Sequence, residues 1–249
     1  MNLRNAKKII YRTLDEYNNT FNTNLKLDDV IFVNDPNFHD SACIKANDIY
    51  YNHKYILNLK QSLFDGDKHF SKAILFHEFT HMYDSELFIN YPELQYKELM
   101  KIYSEIHSTE IETDIILTYQ NKPCSLERDI WYTSRLPLKE YLRISLNVAK
   151  SMFTLPDEKL TEKNAPFDYC ELYYYIGKIR SINKHGLNYH IDYQKEFSTV
   201  NEPFQDLLIK IINCCVNSDM TDYDILIQLH EKLTDTIINF CRNHNAKYQ

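Results

Sequence analysis

Glycine and proline are scarce in this chain of 249 residues, which contains three glycines and seven prolines. The tight turns of a β-sandwich and the phosphate-binding loops of nucleotide folds both depend on glycine. The composition therefore argues against these two classes. With 44% hydrophobic and 14% aromatic residues, the chain can bury a sizeable core, which excludes disorder for most of its length. We expect a mostly helical protein.

The six cysteines contain no Cys-x-x-Cys pair and no dense cluster. Neither a zinc ribbon nor a disulfide-stapled module is indicated, and a reducing compartment fits best. The first thirty residues carry charges throughout and lack the apolar block of a secretory signal. Apolar runs elsewhere are far shorter than the roughly 20 residues that cross a bilayer. We predict a cytoplasmic protein with no membrane partner.

A surplus of positive charge is also missing. The chain has 28 lysines and arginines against 35 aspartates and glutamates, which gives a formal net charge of -7. Proteins that bind nucleic acid use a basic surface to displace the counterions of the phosphates. We therefore expect no nucleic-acid partner.

The N-terminal part of the chain combines one helical pattern with short strand patterns. Apolar residues at three- and four-residue intervals predict an amphipathic helix over 3–18. The β-branched and aromatic runs Val30–Val33 and Asp48–Tyr51 are separated by turn residues and predict strands. The run Ile56–Leu59 is either another strand or the start of a helix. We expect a small sheet of about three strands.

Helical patterns dominate the rest of the chain. The segment 68–87 is apolar around most of its circumference, which is typical of a buried helix. Pro92 separates it from a second long helix, which begins at about Glu93 or Gln95 and ends at Tyr119. Four more helices are predicted near 138–153, 168–182, 202–217 and 222–243.

These patterns predict an α+β fold that is predominantly helical, with a small sheet beside the buried helix and a helical C-terminal part. We expect residues 1–120 to form a catalytic core with the N-terminal helix and the sheet. Residues 121–249 are expected to form a helical subdomain that completes the cleft. The boundary is placed between 120 and 167, since 155–167 is the most loop-like stretch.

The buried helical segment contains the sequence His77-Glu78-Phe79-Thr80-His81. Residues four apart on an α-helix lie about 40° from each other around the axis and one turn along it. Both imidazoles can therefore reach one metal ion, and Glu78 can hydrogen-bond a water on that ion. Zinc lowers the pKa of its bound water to about 7, and a nearby carboxylate can carry the remaining proton to a leaving amine. This chemistry is that of peptide hydrolysis.

A structural interpretation of the same residues is the alternative. His77 and His81 are then ordinary core histidines with satisfied hydrogen bonds. The uncharged residues that flank the motif favour the metal. Two imidazoles and a carboxylate on one buried face need partners, and a divalent cation supplies them.

The segment ILFHEFTHMYD, residues 74–84, resembles the active-site helix of the zincin metallopeptidases, and the resemblance is weak outside residues 48–119. It implies a catalytic zinc with three protein ligands and one open position. The metzincin pattern is excluded, because this chain has Asp84 and Leu87 where metzincins have glycine and histidine. The repressor-cleaving metallopeptidases of mobile elements often carry a histidine where this chain has Ser85, so the motif does not support that group.

The gluzincin branch remains, and its pattern implies a glutamate ligand from a second helix, commonly within Glu-x-x-Ser/Ala or Glu-x-x-x-Asp. Glu105 and Ser108 match this pattern, 24 positions after His81. The resemblance therefore implies Zn²⁺ held by His77, His81 and Glu105, with Glu78 as the general base and acid. A solvated helix carboxylate is the alternative for Glu105, and the other candidate ligands are His107, Glu110, Glu112 and Glu86.

Glu112 and His107 also lie on the second long helix. Glu112 shares roughly the face of Glu105 and is a candidate to hold the far nitrogen of one histidine. His107 points about 200° away from Glu105, so only one of the two can face the site.

Zincins of this shape usually place an edge strand antiparallel to the substrate, just before the active-site helix. Ala46–Asn52 is the candidate for that strand, and an ordinary half-buried strand is its alternative.

The transition-state oxyanion also needs a donor from a later segment. We choose Tyr174, because Gly177 in the same helical pattern indicates close helix packing. Packing and surface tyrosines are the alternative. Other donor candidates are Tyr173, Tyr175, His185, Tyr189 and His190.

The sequence thus leads us to expect a zinc-dependent metallopeptidase that cleaves a peptide or protein substrate. A different class is a non-catalytic binding or regulatory protein that keeps the zincin fold and acts through its helical C-terminal half. The intact Glu78 argues against it, because a structural metal has no use for that carboxylate. A zinc hydrolase of non-peptide substrates is a third alternative.

Overall fold

The computed structural model describes residues 2–118, 124–131, 135–154 and 170–245. Within these ranges the protein is mostly helical with a small mixed sheet, which confirms the predicted α+β class. No helix in the described ranges is long and apolar enough to span a bilayer. The helices are α1 (Leu3–Phe21), α2 (Ala46–Asn52), α3 (Lys68–Phe88), α4 (Glu93–Leu117), α5 (Leu138–Ser151), α6 (Cys170–Lys184), α7 (Tyr193–Glu196), α8 (Glu202–Asn217) and α9 (Tyr223–Asn245). The strands are β1 (Asp29–Phe32), β2 (Ala42–Ile44), β3 (Ile56–Leu59), β4 (Asp129–Trp131) and β5 (Arg135–Pro137).

Three strands form the sheet in the order β1-β3-β2. Strand β3 lies in the middle, parallel to β1 and antiparallel to β2, and Leu57 pairs with Val30 on one side and with Ile44 on the other. The ambiguous run Ile56–Leu59 is therefore a strand. Strand β2 was not predicted, because three residues are too short to show an alternating pattern.

The strand predicted at Asp48–Tyr51 is wrong, because Ala46–Asn52 forms helix α2. A short apolar run is compatible with either structure, so tertiary contacts decide. Ile49 is buried, and the ring of Tyr50 packs against Tyr96 of α4 with centroids 4.7 Å apart. For the same reason, the prediction of a substrate-binding edge strand at Ala46–Asn52 is wrong. The edge strands of the sheet are β1 and β2.

Helix α3 is buried on most sides, as its apolar circumference predicts. It packs against α1 and β2 and also against α4, and α6 packs across α4 in turn. Gly177 makes this last contact possible, since a Cβ at this position would lie 2.5 Å from the carbonyl oxygen of Ile106. The close helix packing expected from Gly177 is thus confirmed.

Among the described residues, helix α4 contributes side chains to three hydrophobic cores, the smallest of which contains Tyr96 and Leu99. Ile111 joins the core formed by α1, the sheet and α3, and Ile102 and Ile106 join the larger core of the C-terminal helices. The division into 1–120 and 121–249 stays a prediction, and the loop-like stretch at 155–167 lies outside the described residues. All six cysteines are in the thiol form.

Candidate metal centre

His77 and His81 lie on consecutive turns of α3 and face the same point. Both are buried, with 8% of each residue exposed, and their ring centroids are 4.8 Å apart. The helix that carries them begins at a capped end, where the side chain of Asp67 accepts the backbone N–H of His69.

Glu105 approaches the two histidines from α4. Its Oε2 lies 3.7 Å from Nε2 of His81 and 3.9 Å from Nε2 of His77. The three ligand atoms lie within 4.8 Å of one another, so this group could hold a metal ion. Ligand atoms around a tetrahedral zinc are about 3.4 Å apart, given bonds of about 2.0–2.1 Å, and small side-chain rotations would close the difference. The structure thus brings together the three predicted ligands.

The other nitrogen of each imidazole is held by a side chain of α4. Nδ1 of His77 lies 2.9 Å from Oε2 of Glu112, and Nδ1 of His81 lies 2.7 Å from Oγ of Ser104. A carboxylate only accepts hydrogen bonds, so Nδ1 of His77 donates, and in the neutral ring Nε2 carries the lone pair that a metal requires. The role expected of Glu112 is confirmed as a hydrogen bond, whereas no motif pointed to Ser104.

Ser108 lies beside His77, three residues after Glu105 on α4. Its Oγ is 3.2 Å from Nε2 of His77 and 3.2 Å from the carbonyl oxygen of Glu105. The hydroxyl has one proton and can donate to either acceptor. Turning it toward the carbonyl frees Nε2 for a metal, so Ser108 is compatible with a loaded site.

Carboxylates around the histidines favour a positive charge at this point. Burial lowers the pKa of His77, but the hydrogen bond and charge of Glu112, together with neighbouring carboxylates, raise it to about 9. Burial and the adjacent His77 hold the pKa of His81 well below its usual value. A divalent cation in place of the proton on His77 would interact with the same carboxylates, so the donor set fits a metal.

Glu78 lies beside the ligands and is tied to the edge of the sheet. Its Oε2 accepts the backbone N–H of Ile44 at 2.8 Å, a contact that only the folded arrangement of α3 against β2 reveals. Burial raises the pKa of Glu78 to about 7, against the opposing effects of His77 and the Ile44 N–H. A carboxyl group with this pKa exchanges a proton readily near neutral pH.

A cavity of about 280 Å³ opens beside the cluster. The ring of Tyr174 is one wall, with its centroid 6.0 Å from that of His77. The lining residues are Asp40, Ser41, Ala42, Ile74, His77, Glu78, Thr109, Glu112, Tyr141, Glu171, Tyr174 and Lys178.

Comparison with family models, with curated proteins and with solved structures returned no match to this chain. The interpretation of the site therefore depends on its own geometry.

The other donor candidates do not line the cavity. The hydroxyl of Tyr173 is bonded to Nδ1 of His230 at 2.5 Å, and that of Tyr175 to Tyr193 at 3.1 Å. His185 contacts Asp114. The donor candidates missing from the lining are Tyr173, Tyr175, His185, Tyr189 and His190.

The other candidate ligands on α4 have different partners. Nδ1 of His107 lies 2.8 Å from Oδ1 of the buried Asp84, and Glu110 forms an ion pair with Arg180 at 2.6 Å. His107 thus points away from the cluster, as its angular position predicts. Glu105 is the carboxylate of α4 that joins His77 and His81 in one group.

Proposed function

We propose that this chain is a zinc-dependent metallopeptidase. The observation that supports this most directly is the convergence of His77, His81 and Glu105 on one point, beside a cavity that Glu78 lines. Structural zinc sites usually have four protein ligands, whereas catalytic sites have three and keep one position open. Among the described residues the group has three members, which favours a catalytic site.

Two further side chains orient the ligands. A bound zinc would supply a Lewis acid and a water of lowered pKa. Glu112 accepts the Nδ1–H of His77 and thereby keeps Nε2 available as a ligand. Ser104 can accept the Nδ1–H of His81 in the same way. Such outer contacts fix the tautomer and orientation of metal-binding imidazoles.

Glu78 carries the proton in the proposed reaction. The Ile44 N–H holds Oε2, and this leaves Oε1 to accept a proton from the attacking water. The water oxygen bonds to the peptide carbonyl carbon, the C–N bond breaks, and Glu78 returns the proton to the leaving nitrogen. The products are a carboxylate and an amine.

The substrate in this proposal is a peptide or protein segment in the cavity between β2 and α6. Ser41 and Ala42 line one side, at the start of the edge strand, and Tyr174 lines the other. The Tyr174 hydroxyl is the proposed donor to the oxyanion that forms on the carbonyl oxygen.

The decisive experiment replaces Glu78 with Gln in the zinc-loaded protein. The amide cannot accept the proton, so hydrolysis of a defined peptide pool should be lost while zinc remains near one per chain. Glu86→Gln, on the same helix but outside the metal group, is the control and should hydrolyse like the wild type. Unchanged activity in Glu78→Gln would refute the mechanism, and no cleavage by the wild type would favour a binding or regulatory protein.

Metal analysis tests the ligands separately from activity. Zinc should be lost from both His77→Ala and Glu105→Ala and retained in His69→Ala, a variant of an exposed histidine on the same helix. Loss in His77→Ala with retention in Glu105→Ala would place the third ligand elsewhere.

A further inference from the structure

Lys178 is a cation on the cavity wall that the proposed reaction does not use. It lies on α6 one turn after Tyr174, so both side chains face the cavity. Among the described lining residues it is the one lysine or arginine. The acidic residues of that lining are Asp40, Glu78, Glu112 and Glu171.

The contacts of Lys178 leave part of its hydrogen-bonding capacity available. Nζ donates to Oγ of Ser145 at 3.0 Å and lies 5.0 Å from the ring centroid of Tyr141 and 6.0 Å from that of Tyr174. Within the described part of the chain, Lys178 has no ion pair and no other hydrogen bond. An ammonium group has three donors, so two N–H bonds can be directed toward a bound molecule.

The burial of the Lys178 ammonium favours an anionic partner. Burial lowers the pKa of this lysine, and the charges of Glu112 and Glu171 oppose the change. Neither carboxylate is within ion-pair distance, and Glu112 is already bonded to His77. An acceptor with a negative charge beside Nζ would replace the hydration that burial removes.

We propose that Lys178 binds a carboxylate group of the substrate. The position of that group follows from Tyr174, whose ring centroid is 6.0 Å from the His77 ring and 6.0 Å from Nζ. An extended peptide spans about 3.3–3.6 Å per residue, so the carboxylate lies within about four residues of the bond that is cleaved. A free C-terminus and an acidic side chain both supply this chemistry. The cleavage part of this inference rests on the proposed function, whereas the binding part does not.

Binding of matched peptides tests the assignment. The protein is the Glu78→Gln variant, which prevents turnover, and it is measured with zinc and after chelator treatment. Calorimetry compares Ala-Ala-Ala with its C-terminal amide, and N-acetyl-Ala-Glu-Ala-amide with N-acetyl-Ala-Gln-Ala-amide. In one pair the acid should bind at least about 10-fold more tightly than the amide, as expected of a charge-assisted hydrogen bond. The pair that shows the preference identifies the source of the carboxylate.

Lys178→Met should abolish the preference, because it keeps the aliphatic stem and removes the ammonium. Lys184→Met is the control, since it removes the same charge from α6 at an exposed residue bonded to Asp114, and it should retain the preference. Equal binding of acids and amides in both pairs, or a preference that survives in Lys178→Met, would overturn the assignment. Failure of the proposed function is a separate result, because wild-type protein would then lack hydrolysis whatever the peptides bind.

Discussion

Replacing Gly177 with alanine tests whether the close contact of α6 with α4 fixes the position of Glu105 in the candidate metal centre. A methyl group at this position would lie 2.5 Å from the carbonyl oxygen of Ile106, 2.7 Å from Cβ of Thr109 and 3.0 Å from the amide nitrogen of Glu110. Two of these atoms belong to the main chain, which cannot rotate aside. The two helices must therefore move apart, and α4 also carries Glu105, the residue before Ile106.

The expected cost follows from two opposing effects. Overpacking of a close-packed interior costs about 1–3 kcal/mol, and the rigid main-chain contacts place this variant at the upper end. Alanine regains about 1 kcal/mol of helix propensity over glycine. The net loss in the free energy of unfolding is about 2 kcal/mol, which lowers Tm by about 4–8 °C in a chain of this size. Displacement of Glu105 should also weaken zinc binding by about 10-fold.

Urea denaturation of the metal-free protein measures the first quantity, and a competition titration with a zinc chelator measures the second. Gly66→Ala is the control, because no atom lies within 4 Å of a Cβ added there, and it should leave zinc affinity unchanged. If Gly177→Ala were instead stabilised by about 1 kcal/mol, with normal zinc affinity, helix propensity alone would account for it. The inferred close contact would then be wrong.

Three further predictions concern the metal and the buried polar groups. Glu112→Gln and Ser104→Ala should each weaken zinc binding by about 10–100-fold in a competition titration, because the native Glu112 and Ser104 orient the two imidazoles. Unchanged zinc affinity would contradict that role. Zinc at 100 times its Kd should stabilise the fold by about 2.7 kcal/mol, so calorimetry should show a lower Tm after chelation, and equal Tm values would argue against a specific site. The hydrogen bond that His230 donates lowers the pKa of Glu98 in the folded protein. The stabilisation of the fold by this hydrogen bond is therefore present above the unfolded pKa of about 4.3, and it is lost as the pH falls through the lower pKa of the folded state. Glu98→Gln should therefore lose about 1 kcal/mol in denaturant titrations at pH 7, because the amide oxygen still accepts this hydrogen bond but carries no charge, and progressively less below pH about 4. A loss that does not change with pH would contradict this.

The long helices could be predicted from sequence because their apolar spacing persists over many residues. Helix α8 has the predicted bounds, and α3 differs from its prediction by one residue. The failures are short elements. Helix α2 has seven residues and β2 has three, and at these lengths packing against the rest of the protein decides the conformation.

The same distinction applies to the residues of the candidate site. The positions of His77, His81 and Glu78 follow from helix geometry, and the resemblance to zincins supplied Glu105. No sequence pattern predicted the following contacts between elements that are distant in sequence. Ser104 of α4 is hydrogen-bonded to His81 of α3, and the Ile44 N–H of β2 donates to Glu78 of α3. Lys178 lines the cavity from α6.

The packing of α4 has a consequence for motion. This single helix of 25 residues is part of all three hydrophobic cores of the described residues, so the cores share a common rigid helix and cannot move apart as separate bodies about a hinge. Backbone amides in the middle of α4 should accordingly be among the slowest in the protein to exchange with deuterium, with rates set by global unfolding.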